Sequence, residues 1–178
     1  MSELAAFTVL WIEDQLDKVR TGVVELRRLL SENLTLPVEI HEACSQESAQ
    51  IVLSELQSLD LILLDVILPR TEAARKAEPP RVDMNAGYLL WHKLRKQSVF
   101  ADTLKTTPIC VVTARARPVF RAEMTNDPHL LWLDKPIPPS EIVDKIMTSL
   151  LQSRNCPDSV LGQCGLDAES DGGSDGKA

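Results

Sequence analysis

Basic charge is in short supply: 19 lysines and arginines face 26 aspartates and glutamates, leaving a formal charge of −7. A surface with that balance has no electrostatic footprint for a phosphate backbone, so a nucleic-acid partner is not expected. Cysteine is sparse as well. Cys44, Cys110, Cys156 and Cys164 show no C-x-x-C spacing, and the first two lie in apolar runs that read as buried structure, which suits a reducing, cytoplasmic compartment. The three histidines, His41, His92 and His129, share no ligand spacing, so a zinc site is not expected either. Long hydrophobic runs are missing too. The opening MSELAAFTVLWIEDQ holds a short apolar stretch with no positive flank and ends in acids, the pattern of neither a signal peptide nor a membrane span. No internal repeat is visible.

What remains is an ordinary globular composition. With 178 residues, 44% of them hydrophobic and 25% charged, the chain suits one domain that buries a core without disulfides or structural metal. Residues 154–178 collect glycine, serine and aspartate with almost nothing apolar after Leu166. Residues 1–153 are therefore expected to hold the domain and 154–178 to form a disordered acidic tail, with no separate output domain.

Five short apolar runs alternate with helical patterns. Phe7 to Ile12 is too short for a helix and stops at Glu13 and Asp14, so it reads as a buried strand. Leu16, Val19, Val23, Leu26 and Leu30 step by three and four along an amphipathic helix. Pro37 to His41 alternates as an edge strand does, and Ser45 with Ser48 offers a cap for a second helix through Ala49, Val52, Leu53 and Leu56. Asp60 to Asp65 is a central strand covered on both faces. Arg70 to Ala86 has no periodicity and carries Pro79-Pro80, which reads as a long, solvated surface loop. Gly87 opens a third helix bearing Tyr88, Leu89, Trp91, His92 and Leu94; Pro108 to Thr113 is a fourth strand, Pro118 to Met124 a weaker helical segment and His129 to Leu133 a fifth strand. Ser140 and Glu141 start a last helix through Leu151. Strands and helices in that order predict an α/β fold: a doubly wound parallel sheet of five strands, (βα)5, with helices on both faces.

In such a sheet the side chains that end the strands converge on one crevice. Here they are Glu13 and Asp14 after the first strand, Asp65 after the third, Thr113 closing the fourth, and Lys135 with Pro136 after the fifth. Each alone has a structural explanation, as a helix-start acid, a turn acid, a β-branched strand end or an exposed lysine. Together they place three carboxylates, a hydroxyl and an ammonium at the ends of four strands. Clustered acids stay ionised beside a hard divalent cation such as Mg²⁺, and the lysine and threonine can hold the oxygens of a phosphoryl group on one acid.

These residues resemble those of the receiver domains of two-component response regulators, whose fold is the flavodoxin-like (βα)5 domain. The resemblance covers roughly residues 7–152. It implies that Asp65 is the phosphoacceptor, that Asp14 binds Mg²⁺ directly, that Glu13 reaches the metal through water, and that Ile67 lends its backbone carbonyl. It makes Thr113 the switch hydroxyl, Trp132 the rotating aromatic, and Lys135 the lysine whose bond to Pro136 is cis. The implied donor is a histidine kinase or phosphotransfer protein. A downstream partner, or a second copy in a homodimer, would read the face of the fourth helix, fifth strand and fifth helix. The sequence departs from that family in the length of the segment between Pro69 and Gly87 and in having tryptophan at 132. Two other readings remain: a pseudo-receiver that signals without phosphorylation, and a Mg²⁺-dependent phosphohydrolase. The second lacks an acid two residues after Asp65, where Ile67 stands.

Overall fold

A computed structural model describes residues 6–96, 102–114 and 122–155. Five strands, β1 (Phe7–Ile12), β2 (Val38–Ala43), β3 (Leu61–Leu64), β4 (Ile109–Thr113) and β5 (Leu130–Asp134), pair in parallel in the order β2-β1-β3-β4-β5. This is the doubly wound α/β arrangement, and it places the half-polar β2 at an edge and the all-apolar β3 at the centre. Helices α1 (Leu16–Leu34), α2 (Gln46–Glu55) and α4 (Ala86–Lys96) lie in the first three crossovers, and α6 (Pro139–Asn155) follows β5. Two shorter helices are α3 (Glu72–Arg75) and α5 (Ala122–Thr125), and a 3-10 turn spans Asp102–Lys105.

Successive strand residues point to opposite faces, so each strand feeds two cores. Leu10, Ile12, Ile62, Leu64 and Val111 pack with Ala49 and Leu53 of α2 and with Leu90, Trp91 and Leu94 of α4. Val9, Trp11, Leu63, Cys110 and Val112 face Leu16, Val23, Leu26 and Leu30 of α1 and Ile142, Val143 and Ile146 of α6. Burying one such aliphatic side chain stabilises the fold by roughly 1.5–3 kcal/mol. The Ser45 and Ser48 pair forms a reciprocal cap on α2, each side-chain oxygen accepting the other's backbone N–H at 3.0 Å.

The segment after β3 differs from the solvated loop that its composition suggests. Thr71 caps α3, its hydroxyl accepting the Ala74 N–H at 3.1 Å, and Leu68 and Asp83 exchange two backbone hydrogen bonds as an antiparallel bridge. The backbone N–H groups of Gln46 and Glu47, at the start of α2, donate to the carbonyls of Pro69 and Arg70 at 3.0 and 2.9 Å. Arg70 pairs with Asp83, and Arg75 with Glu72 at 2.9 Å. These local pairs satisfy backbone groups without any apolar period, which is why periodicity does not reveal them. Of the expected Pro118 to Met124 helix, only the turn Ala122–Thr125 falls within the described residues. Most of the expected tail, 156–178, lies outside them.

Candidate functional site

The strand ends are brought together by backbone hydrogen bonds that run one residue past the ladders. The Glu13 N–H donates to the Ala43 carbonyl, the Asp65 N–H to that of Ile12 and the Lys135 N–H to that of Thr113, each at 2.9 Å. Glu13, Asp14, Asp65, Thr113 and Lys135 thereby sit at the carboxyl edge of β1, β3, β4 and β5, where a parallel sheet presents its ligands.

Asp65 is the hub. Its Oδ1 accepts the Thr113 hydroxyl at 3.0 Å and the Ile67 backbone N–H at 3.0 Å; its Oδ2 accepts the Lys135 ammonium at 2.7 Å. That ammonium also bonds to Glu13 Oε2, and Glu13 Oε1 accepts the Gln15 N–H at 3.3 Å. Thr113, Glu13 and Asp65 are buried and Asp14 is half-buried. One carboxylate oxygen each from Glu13, Asp14 and Asp65 lie within 4.8 Å of one another. The sequence pointed to the Ile67 carbonyl; the structure adds its N–H, a contact that side-chain patterns do not reveal.

The charges respond to this crowding. Burial pushes the Glu13 carboxyl up, with Lys135 opposing and the Asp65 charge adding to the rise. Asp14 is raised by burial and by Asp65, against a hydrogen bond with Glu13 and the pull of Lys135. Lys135 runs the other way: burial alone would lower its pKa, but Asp65 and Glu13 overcome that and hold the ammonium charged. Three acids served by one amine leave room for a second cation. An all-oxygen, carboxylate-rich donor set suits a hard ion such as Mg²⁺.

Helix α4 meets the site at closest approach. A Cβ on Gly87 would lie 2.4 Å from Val66 Cα and 2.6 Å from the Asp65 carbonyl oxygen, and the Gly87 N–H donates to the Val66 carbonyl at 3.1 Å. Only glycine allows that approach. On β5, Trp132 is buried in the core cluster shared with Tyr88, Trp91 and Met124, and its indole N–H donates to Asp134 at 3.2 Å. The Lys135–Pro136 peptide bond is cis. Trp11, Tyr88 and Trp91 are core residues. Among the described residues no other group of three His, Cys, Asp or Glu side chains could hold a metal, and no helix is long and apolar enough to cross a membrane.

No family model matches the chain, and no curated protein matches it. Solved structures do. A CheY-like response regulator receiver domain protein from Methanospirillum hungatei is 19% identical, with 84% of this chain and 98% of that one covered and a TM-score of 0.56. A putative response regulator from Chloroflexus aurantiacus is 22% identical over 83% of this chain and 99% of that one, with a TM-score of 0.56. The chemotaxis response regulator CheY4 of Vibrio cholerae is 21% identical over 82% and 99%, with a TM-score of 0.52. The fold is that of response regulator receiver domains.

Proposed function

We propose that this chain is a phosphoacceptor receiver, taking a phosphoryl group from the phosphohistidine of a histidine kinase or phosphotransfer protein onto Asp65. The observation that carries the reading is the double engagement of the Asp65 carboxylate, by Lys135 on one oxygen and Thr113 on the other, with two more carboxylates within 4.8 Å. In the transfer a carboxylate oxygen of Asp65 attacks phosphorus, the P–N bond to the imidazole breaks as the P–O bond forms, and the departing imidazole takes its proton from water.

Glu13, Asp14, Asp65 and the Ile67 carbonyl would hold Mg²⁺, which supplies charge neutralisation to the incoming phosphoryl oxygens. Lys135 orients the acceptor and offsets charge as it accumulates on those oxygens. Thr113, already bonded to the acceptor, then follows the phosphoryl group as its bond to Oδ1 is replaced. Phosphorylation adds about −1.5 to −2 charges beside Lys135. That draws on Lys135 and Thr113, at the carboxyl ends of β5 and β4, and repacks the neighbouring face of α5, β5 and α6, where Trp132 is the rotating aromatic and a downstream protein or a second copy docks. The chain then acts as a signalling switch in the cytoplasm.

Incubation with acetyl phosphate and Mg²⁺ followed by intact mass tests this. One added phosphoryl group in the wild type, absent in Asp65→Asn and without Mg²⁺, is the expected result. A folded, metal-binding protein that never gains the adduct refutes phosphoacceptance and leaves the pseudo-receiver.

A further inference from the structure

A cavity of about 490 Å³ opens between α1 and the start of α6. Its walls are Trp11, Val19, Val112, Ile137, Pro139 and Ile142. Among the described residues, the only charged groups lining it are Glu13 and Lys135, and they are bonded to each other. The cavity therefore offers no charge to an occupant, and what it fits is apolar. Its volume is about three times the roughly 150 Å³ that holds a benzene ring, so it takes a short stretch of chain rather than one side chain.

The chain itself carries such a stretch. The eleven residues from Cys156 to Leu166 include Val160, Leu161, Leu166 and two cysteines, with Asp158 the one charged group. From Asp167 onward the sequence reads DAESDGGSDGKA, in which nothing apolar is larger than alanine. The first composition is that of a segment with something to bury, the second that of one that stays in solvent.

Reach selects the residue. Pro139, at the start of α6, lines the cavity, and the helix ends sixteen residues later at Asn155, about 24 Å away along its axis. An extended chain spans at most about 3.6 Å per residue. Leu161, six residues past Asn155, falls short at about 22 Å, whereas Leu166, eleven residues past, reaches up to about 40 Å. We propose that Cys164-Gly165-Leu166 of this chain docks in the cavity, the Leu166 side chain between Trp11, Val112 and Ile142. The inference goes beyond phosphotransfer, since docking needs no phosphoryl group.

Thiol reactivity of the full chain under native conditions tests it, each cysteine being followed by mass after digestion. Cys164 should react at least tenfold more slowly in wild type than in Leu166→Ser, which takes away the anchor and leaves residues 6–155 unchanged. Gly22→Leu leaves the segment alone and fills the cavity from α1, where an added Cβ would rest 3.8 Å from Pro139 Cγ. It should free Cys164 to the same extent, with unchanged circular dichroism. The methyl resonances of Val112 and Ile142 should differ between wild type and Leu166→Ser. Because the tether makes docking intramolecular, the protection of Cys164 should persist on about tenfold dilution. A Cys164 rate unchanged in either variant, or cavity methyls that do not move, would overturn the proposal. Protection lost on dilution would overturn it too, giving the cavity to the segment of a second copy.

Discussion

The ammonium of Lys135 is held between two carboxylates that belong to different strands, Asp65 after β3 at 2.7 Å and Glu13 after β1. Lys135→Met takes away the only cation among these side chains. Labelling by acetyl phosphate should slow by about 100-fold or more, as expected for the loss of preorganised charge stabilisation. Because Asp65 and Glu13 outweigh burial and raise the Lys135 pKa, the wild-type labelling rate should show no lysine deprotonation between pH 7 and 9, and a fall there assigned to Lys135 would contradict the arrangement.

Metal occupancy should be visible as stability. A ligand that binds only the folded state adds about 2.7 kcal/mol at a hundred times its Kd, or roughly 5–10 °C in Tm for a chain of this size. Thermal scans with and without MgCl₂ should show such a rise in wild type and most of it gone in Asp14→Asn. Equal shifts in the two proteins would remove Asp14 from the ligand set.

At the opposite end of the sheet, Asp127 accepts from Arg95 Nε and Trp91 Nε1, both at 2.7 Å, while the Arg95 guanidinium also donates to the carbonyls of Leu104 and Thr107. Burial alone would raise the Asp127 carboxyl, but Arg95, Trp91 and the His129 N–H hold it below its usual range. A depressed carboxylate contributes stability that is present above its unfolded pKa of about 3.9 and is lost as pH falls through the folded value. Urea unfolding from pH 7 to pH 2 should therefore show an acid loss that is smaller in Asp127→Asn. Asp127→Ala, which strands the buried Arg95, should cost about 3–5 kcal/mol at pH 7.

Gly87→Ala sets two effects against each other. Alanine favours a helix by about 1 kcal/mol, yet its methyl would fall 2.4 Å from Val66 Cα and 2.6 Å from the Asp65 carbonyl oxygen. The atoms it meets are all backbone of Asp65 and Val66, which cannot yield cheaply, so the variant should lose about 1–3 kcal/mol and label on Asp65 more slowly. A gain in stability by chemical denaturation would show that α4 does not bear on the strand end at Asp65.

The elements that were legible in the sequence are those whose identity lies in a period or a cap. Leu10, Ile12, Ile62 and Leu64 declare a buried sheet, Leu16 to Leu30 an amphipathic helix, and Ser45 and Ser48 a capped start, and each lies where those signals place it. The strand-end acids were legible because a parallel sheet leaves them one place to go. The turn at Glu72–Arg75 was not, since polar side-chain and backbone bonds hold it. Nor was the Arg95–Asp127 pair, whose members are 32 residues apart with no pattern linking them.

Leu68 and Asp83 exchange their two backbone hydrogen bonds at the neck of the segment that follows β3, and Leu68 is fully buried. The neck, together with the bonds of the Arg70 carbonyl and the Glu72 N–H to Glu47 of α2, holds the start of the segment. Residues 76–80 lie beyond those ties, so a change of length or sequence there reaches Asp65 and its contact with Gly87 through them. On the phosphoacceptor reading, Asp65 keeps its aim while that stretch of surface diverges, so recognition can be rewritten there with the chemistry left intact.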